Sequence, residues 1–259
     1  MAYSGTSVDV PTSAQAGGFV GLGVAVKPDY EGSDDYEAAP APFGHYRWAS
    51  GRYVDLGGTG GAESAGRLSL NIISSDWSRT WEVGPLLQYR LERDDVDNNQ
   101  VDDMKKVDDA IELGAFVGLR SGHWSTELAF AGDVSDEHDG YLVYLKGAYD
   151  WPVNDSFLLQ IGAHGTWADS NYMDTYFGVD KNNRGRSTLP DYNADSGIKD
   201  AGLDLTGIYH FNKKWGMVGS VGWTRMFGDA EDSPLVDGGS RAVGDENQYR
   251  GVLAVTYSF

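Results

Sequence analysis

The chain has 259 residues, a net charge of −19, an isoelectric point of about 4.4 and no cysteine. The acidic balance argues against nucleic acid as a partner, because phosphate recognition needs clustered Lys and Arg, and the lack of cysteine removes disulfides, thiolate catalysis and cysteine-ligated metal together. Mean hydropathy is −0.41 and no apolar run approaches the roughly 20 residues of a spanning helix, yet a membrane β-barrel stays open because only alternate residues of each strand meet lipid.

Residues 1–16 are rich in Ser, Thr and Ala without periodicity and read as a flexible lead-in. They hold no basic stretch ahead of an apolar core, so no secretory signal is expected there. Residues 17–259 read as one domain of extended strands. In the first, 18–27, Val20, Leu22, Val24 and Val26 alternate with Phe19, Gly21, Gly23 and Ala25. An acidic loop, 28–37, leads to strand two (39–48), where Pro42, Tyr46 and Trp48 oppose Phe43, His45 and Arg47. Ser50-Gly51 turns into strand three, 52–57, whose end is blurred by glycines.

Strand four (67–73) sets Leu68, Leu70 and Ile72 against Arg67, Ser69 and Asn71. Strand five (80–93) sets Trp81, Val83, Pro85, Leu87, Tyr89 and Leu91 against Glu82, Gln88, Arg90 and Glu92; Pro85 weakens the pairing expected there, since it cannot donate to a ladder. Residues 94–109 form a loop with seven Asp. Strand six (110–120) turns Glu112, Phe116 and Arg120 inward, strand seven (123–133) Ser125, Glu127 and Asp133, and strand eight (140–151) Tyr144, Lys146 and Asp150. After a turn at 152–155, strand nine (156–168) turns Gln160, His164 and Thr166 inward. The polar stretch 169–196 holds one apolar patch, YMDTYFGV, which reads as a short helix or plug over the barrel mouth. Strand ten (197–211) carries Asp204, Thr206 and His210 inward, strand eleven spans 215–227, and an acidic loop, 228–246, precedes the last strand.

That last strand, 247–259, places Tyr249, Leu253, Val255, Tyr257 and Phe259 on one face and Arg250 on the other. Its ending, with Tyr257 and a final Phe259, resembles the assembly signal of outer-membrane barrels. The count is twelve strands. Connections after strands one, five, nine and eleven are long and acidic, and those after strands two, six, eight and ten are tight. Alternation alone fits a soluble sandwich equally well, but long loops at one end and tight turns at the other are the pattern of a membrane barrel. The expectation is therefore an all-β, transmembrane, antiparallel up-and-down barrel with both termini periplasmic. The last strand must then pair with the first so that no edge remains. Trp48, Trp81, Trp124, Trp151, Trp167, Trp215 and Trp223 lie near strand ends, where aromatic rings suit the membrane interface.

Residues 19–27 followed by PDYEGSDDY and APAPFGHYRW, YFGVD at 176–180 ahead of GIKDAGL, and the closing YSF resemble the MipA/OmpV family of outer-membrane proteins, the MltA-interacting protein family. The resemblance runs from about residue 18 to the end. It implies an integral, non-enzymatic outer-membrane barrel in contact with lipid and lipopolysaccharide, serving as a scaffold for periplasmic peptidoglycan-remodelling enzymes. It carries over no residue motif for that role.

Inward charges expected to fill the lumen are Lys27, Arg47, Arg67, Arg90, Arg120, Lys146 and Arg250 against Asp55, Glu82, Glu92, Glu112, Glu127, Asp150 and Asp204. One reading is a salt-bridge network that fills the barrel, since unpaired burial of charge is costly; the other is a constriction selective for small polar or cationic compounds, antibiotics included. His164 and His210, with Thr166, Thr206 and Asp204, form the one set that an enzyme reading would test. No G-x-S-x-G or H-E-x-x-H occurs, so neither catalysis nor a cofactor is expected. Asp95, Asp97 and Asn99 have alternate spacing, but Lys106 stands at the twelfth position of the loop they would open, so no EF-hand forms. The acidic loops are expected to be a solvated anionic surface, with collection of cations near lipopolysaccharide as the alternative.

Overall fold

The computed structural model describes residues 16–58, 65–237 and 243–259. Its strands are β1 (Gly17–Pro28), β2 (Tyr36–Arg47), β3 (Tyr53–Gly58), β4 (Ala65–Asn71), β5 (Trp81–Arg90), β6 (Ala110–Ser121), β7 (Trp124–Asp133), β8 (Tyr141–Asn154), β9 (Phe157–Ala168), β10 (Gly197–His210), β11 (Trp215–Met226) and β12 (Asn247–Ser258). Each pairs antiparallel with its sequence neighbours, and β12 closes the barrel against β1. The closing register runs from Phe19 opposite Ser258 to Val26 opposite Gly251. Beyond it, the backbone of Phe259 exchanges hydrogen bonds with Gly18 at 3.0 and 3.1 Å. The pairing expected of the last strand is the one found. The lead-in expected over 1–16 lies, Ala16 apart, outside the described residues.

Alternation decides which face is which. On β1, Val20, Leu22, Val24 and Val26 point out and are 47–65% exposed, while Phe19 points in and is 8% exposed. The same pattern continues round the wall, through Leu113, Leu128, Leu145, Ile161, Leu203, Val221 and Leu253. A continuous belt of exposed aliphatic side chains on a closed barrel is a lipid-facing surface. No described helix is long and apolar enough to cross a membrane; the strands cross instead.

Connections sort by end. Residues 48–52, 72–80, 122–123, 155–156 and 211–214 turn at one end, and 29–35, 91–109, 134–140, 169–196, 227–237 and 243–246 lie in loops at the other. The tight turns need positive φ, which Gly51 (87°) and Gly122 (58°) supply at no steric cost. Aromatic rings collect at both levels: Trp124 against Tyr149 (4.7 Å) and Trp215 against Tyr257 (5.0 Å) at the turn end, Phe130 against Tyr141 (5.3 Å) at the loop end. Phe259 stacks on Tyr46 at 6.1 Å.

Two prolines interrupt the regular ladder. β8 does not turn at Pro152: a register shift between Pro152 and Asn154 absorbs the proline, and the strand runs on to Asn154. Pro85 lies within the closed wall, and the ladder breaks locally as its missing donor demands. The β4–β5 pairing stops at Ser69 opposite Leu86. Asn71 then bridges the gap, its side-chain oxygen accepting from Val83 N at 3.1 Å while Ile72 N donates to Val83 O at 3.0 Å.

Candidate functional site

The lumen is the site, and its loop half is closed by chain from the longest connection. Asp169 starts α2 (Ser170–Phe177) as an N-cap, its carboxylate accepting from Tyr172 N at 3.1 Å. The same oxygen accepts from Tyr141 N at 2.9 Å, which ties the start of the helix to the start of β8. Tyr172, Met173, Tyr176 and Phe177 share the buried face. They pack on inward side chains of the wall, among them Leu86, Phe116, Ala131, Leu142 and Tyr144. Ser233 from the last loop donates to Phe177 O at 2.6 Å and holds the other end of the helix. The apolar patch expected as a short helix or plug is thus a helix seated in the barrel.

Above α2 the loops pack on one another. Tyr30, Val101, Met104, Val179, Leu189, Leu235 and Val243 form one apolar cluster. The Tyr30 hydroxyl donates to Val243 O at 2.6 Å, and burial pushes its phenol well above the ordinary tyrosine value. Acids of the 94–109 loop are part of this cap: Asp103 pairs with Arg186 at 2.6 Å, and Asp97 N donates to Asp29 at 3.0 Å. A short helix, α1 (Asn99–Asp102), lies in the same loop. No group of three or more His, Asp or Glu suited to a metal ion occurs among the described residues.

Beneath the cap lies a buried ionic cluster. Arg90 Nε donates to Glu112 at 2.7 Å and its Nη1 to the Tyr172 hydroxyl at 2.9 Å. Glu112 also meets His138 Nε2 at 3.1 Å and accepts from Gln88 Nε2 at 2.6 Å. The Tyr172 hydroxyl reaches Glu31 at 3.0 Å, and Lys199 Nζ lies 3.4 Å from Glu31 and also binds Asp200. The Arg90 guanidinium stacks on the rings of Tyr172 (4.8 Å) and Tyr176 (5.5 Å). Arg93, just beyond β5, donates to Tyr176 O at 3.0 Å, and burial lowers its pKa from the usual arginine value.

The turn half is polar and less tightly filled. Arg67 grips Glu127 with both Nη atoms, at 2.7 and 3.0 Å, and its guanidinium lies 5.4 Å from the Phe116 ring. Lys146 stands opposite Glu127 in the β7–β8 register. Arg120 lies 3.3 Å from Glu82 and 4.0 Å from Asp150, and Gln160 donates to Asp150 at 2.7 Å. His45 meets Asp55 at 3.1 Å. Nearer the loop end, Arg250 pairs with Asp204, which also meets His164 Nδ1 at 2.9 Å.

Of the inward residues expected from the sequence, Arg67, Arg90, Glu112, Arg120, Glu127, Lys146, Asp150, His164, Asp204 and Arg250 sit in lumen contacts, as do Asp55 and Glu82, while Lys27 pairs with the half-exposed Glu37. Arg47 and His210 lie at the turn-end rim, half-buried. Glu92 does not face the lumen: β5 ends at Arg90, and Glu92 is exposed beyond it. The five-residue catalytic set does not assemble either. His164 lies opposite Gly202, and His210 is eight positions further along β10, roughly 27 Å at the rise of a strand. Thr206 bonds to Ser220 at 2.9 Å instead, while the second nitrogen of His164 meets Thr224 at 3.1 Å. Sequence reading missed Glu31, His138, Lys199 and Asp200. Lys199 and Asp200 both point inward because a register shift between Ile198 and Asp200 interrupts alternation. Adjacent opposite charges inside an expected strand were the available signal.

A closed barrel with a lipid-facing belt outside and an ion-paired, helix-plugged lumen inside is a membrane-spanning β-barrel of the outer-membrane type. The model of the family described as MltA-interacting protein MipA matches residues 20–259, and the chain belongs to that family. The MltA-interacting proteins of Escherichia coli strain K12 and of Shigella flexneri are each 26% identical to it over 223 residues, covering 84% of this chain and 82% of theirs. Among solved structures, the NanC porin aligns with a TM-score of 0.48 at 7% identity, over 92% of this chain and 98% of its own. The KdgM porin aligns with a TM-score of 0.46 at 11% identity, over 93% and 99%.

Proposed function

We propose that this barrel is a non-catalytic scaffold of the bacterial outer membrane, with its loops outside the cell and its turns and both termini in the periplasm. There it would dock a peptidoglycan-remodelling enzyme of the kind named in its relatives, MltA. The observation that carries the reading is the plugged lumen. Tyr172, Phe177, Arg90, Glu112, Lys199 and Asp200 are all 2% exposed or less, which suits a barrel that holds something at its surface better than one that passes solutes. The runner-up, a narrow channel for small polar or cationic compounds, would require α2 to leave its seat.

Two measurements test this. Pull-down of a lytic transglycosylase by the intact, lipid-reconstituted barrel should succeed and should weaken when the turns 48–52 and 72–80 are replaced by short Asn-Gly turns. Failure of the intact barrel to retain any such enzyme would sink the scaffold. Tyr257 and Phe259 are proposed as the assembly signal, so removing Phe259 should lower the heat-modifiable, folded fraction in the outer membrane without lowering synthesis.

A further inference from the structure

Charge is divided unevenly between the two ends of the barrel, and the cations at the turn end stand without partners. In the loops, acids far outnumber bases. Cations near that end are held by carboxylates: Lys106 by Asp108 at 2.6 Å, Arg186 by Asp103 at 2.6 Å and Arg225 by Glu246 at 3.1 Å. At the turn end the balance reverses, and Arg47, Arg52, Arg79, Lys213 and Lys214 face only Asp76 and Asp155 in the turns and at their rims. Among the described residues, none of these five cations forms an ion pair with a carboxylate.

Three of the five share one platform. Turns 48–52 and 72–80 lie side by side because β3 and β4 pair and carry them. Ser75 N donates to Ser50 O at 2.8 Å, and Arg52 Nε donates to Ile72 O at 3.0 Å. The second turn is ordered by its own bonds. Trp77 N and Ser78 N both donate to Ser74 O at 3.0 Å, and the Ser78 hydroxyl accepts from Thr80 N at 3.1 Å and Trp81 N at 2.9 Å. This frame holds Trp77 out at 74% exposure, more than any other large apolar side chain described. Trp48 packs on Tyr46 at 5.3 Å and Trp124 on Tyr149, but Trp77 meets no ring among the described residues. Arg52 and Arg79 are exposed beside it. Arg47 follows Phe43 and His45 on the inward face of β2 and brings charge to the rim of the lumen.

An exposed Trp among unpaired Arg is the composition of an interface hot spot, and a turn already fixed by hydrogen bonds loses little freedom on binding. Lipid headgroups surround the wall from outside and can reach Arg52 and Arg79, but Arg47 opens to the lumen mouth, where they do not extend. A protein surface pressed against the turn end meets all three. We propose that Arg47, Arg52, Trp77 and Arg79 form the docking face of the barrel, and that the face takes an acidic protein surface on the enzyme it holds. The proposal rests on the scaffold reading and names the chemistry of the partner. For the test, the barrel is placed in phosphatidylcholine nanodiscs and its Kd for purified MltA, the enzyme for which its relatives are named, is measured by biolayer interferometry. Combined Arg47→Glu, Arg52→Glu and Arg79→Glu, and separately Trp77→Ala, should each raise Kd at least about tenfold. The unaltered barrel should lose roughly tenfold in affinity between about 0.05 and 0.5 M salt, as screening shortens the reach of the charges. Lys213→Glu with Lys214→Glu, on a different turn, should change Kd less than about threefold. Binding that survives both the charge reversals and Trp77→Ala overturns this face and leaves the scaffold standing; no binding by the unaltered barrel removes both. A loss as large from the two lysine reversals spreads the effect over the whole end and overturns the platform. So does a loss seen only in discs containing phosphatidylglycerol, which assigns the arginines to lipid. Folding is judged by heat-modifiable migration, and where the charge reversals fail to fold, Trp77→Ala and the salt dependence carry the same outcomes.

Discussion

The two halves of the lumen both hold paired charges, but in the loop half they are sealed and in the turn half they stay within reach of water. Arg90 and Glu112 have side-chain exposures of 2% and 0%, whereas Arg120 and Glu82, doing the same work nearer the turns, have 22% and 18%. The difference comes from α2 and the loops above it. Tyr172 and Tyr176 cover the guanidinium of Arg90, and Glu31 descends from the first loop to share Tyr172 and Lys199. Arg120, with 22% of its side chain exposed, is less deeply covered. Burial raises the stakes of every pair, because removing one partner leaves the other charged and dry. The loop half therefore behaves as a protein core built from ions, and the turn half as a lined vestibule.

Mutations should rank accordingly. Glu112→Ala strands Arg90, His138 and Gln88 at once, and should cost about 3–5 kcal/mol in urea unfolding followed by tryptophan fluorescence in lipid. Tyr172→Phe keeps the ring over Arg90 but removes the hydroxyl that joins Arg90 to Glu31; it should cost about 1–3 kcal/mol, the penalty of groups left buried without a partner. Glu82→Ala, in the turn half, frees Arg120 to meet Asp150 and water, and should cost about 1 kcal/mol or less. Lys27→Ala breaks a pair whose Glu37 partner is half exposed, and should stay within about 0.5 kcal/mol. If Glu82→Ala proved as damaging as Glu112→Ala, the distinction between the halves would fail.

The wall of the barrel was legible in the sequence because lipid on one side and a polar lumen on the other impose a strict period of two. Val20 to Val26, Leu113 and Leu253 announce their face without any knowledge of pairing. The closing strand was legible for the same reason, since a barrel in lipid leaves no free edge for 247–259 to be. The partners of each charge were not. Arg67 meets Glu127 across strands that are sixty residues apart in the chain, and which inward charges share a level depends on stagger, to which alternation is blind. The ionic cluster was hidden further because three of its members, Glu31, His138 and Tyr172, come from loops that fold inward. The bulge at Lys199 then put two neighbours on one face. The apolar patch of α2 showed through because a polar loop has no use for Tyr, Met and Phe together.

Conductance separates a sealed lumen from a passage. In planar lipid bilayers the intact barrel should give no steady openings, and replacing residues 170–177 with a short Gly-Ser linker should produce them, with heat-modifiable migration confirming that the wall still closes. Steady openings from the intact barrel, of the same size as those of the helix-deleted form, would contradict the plug.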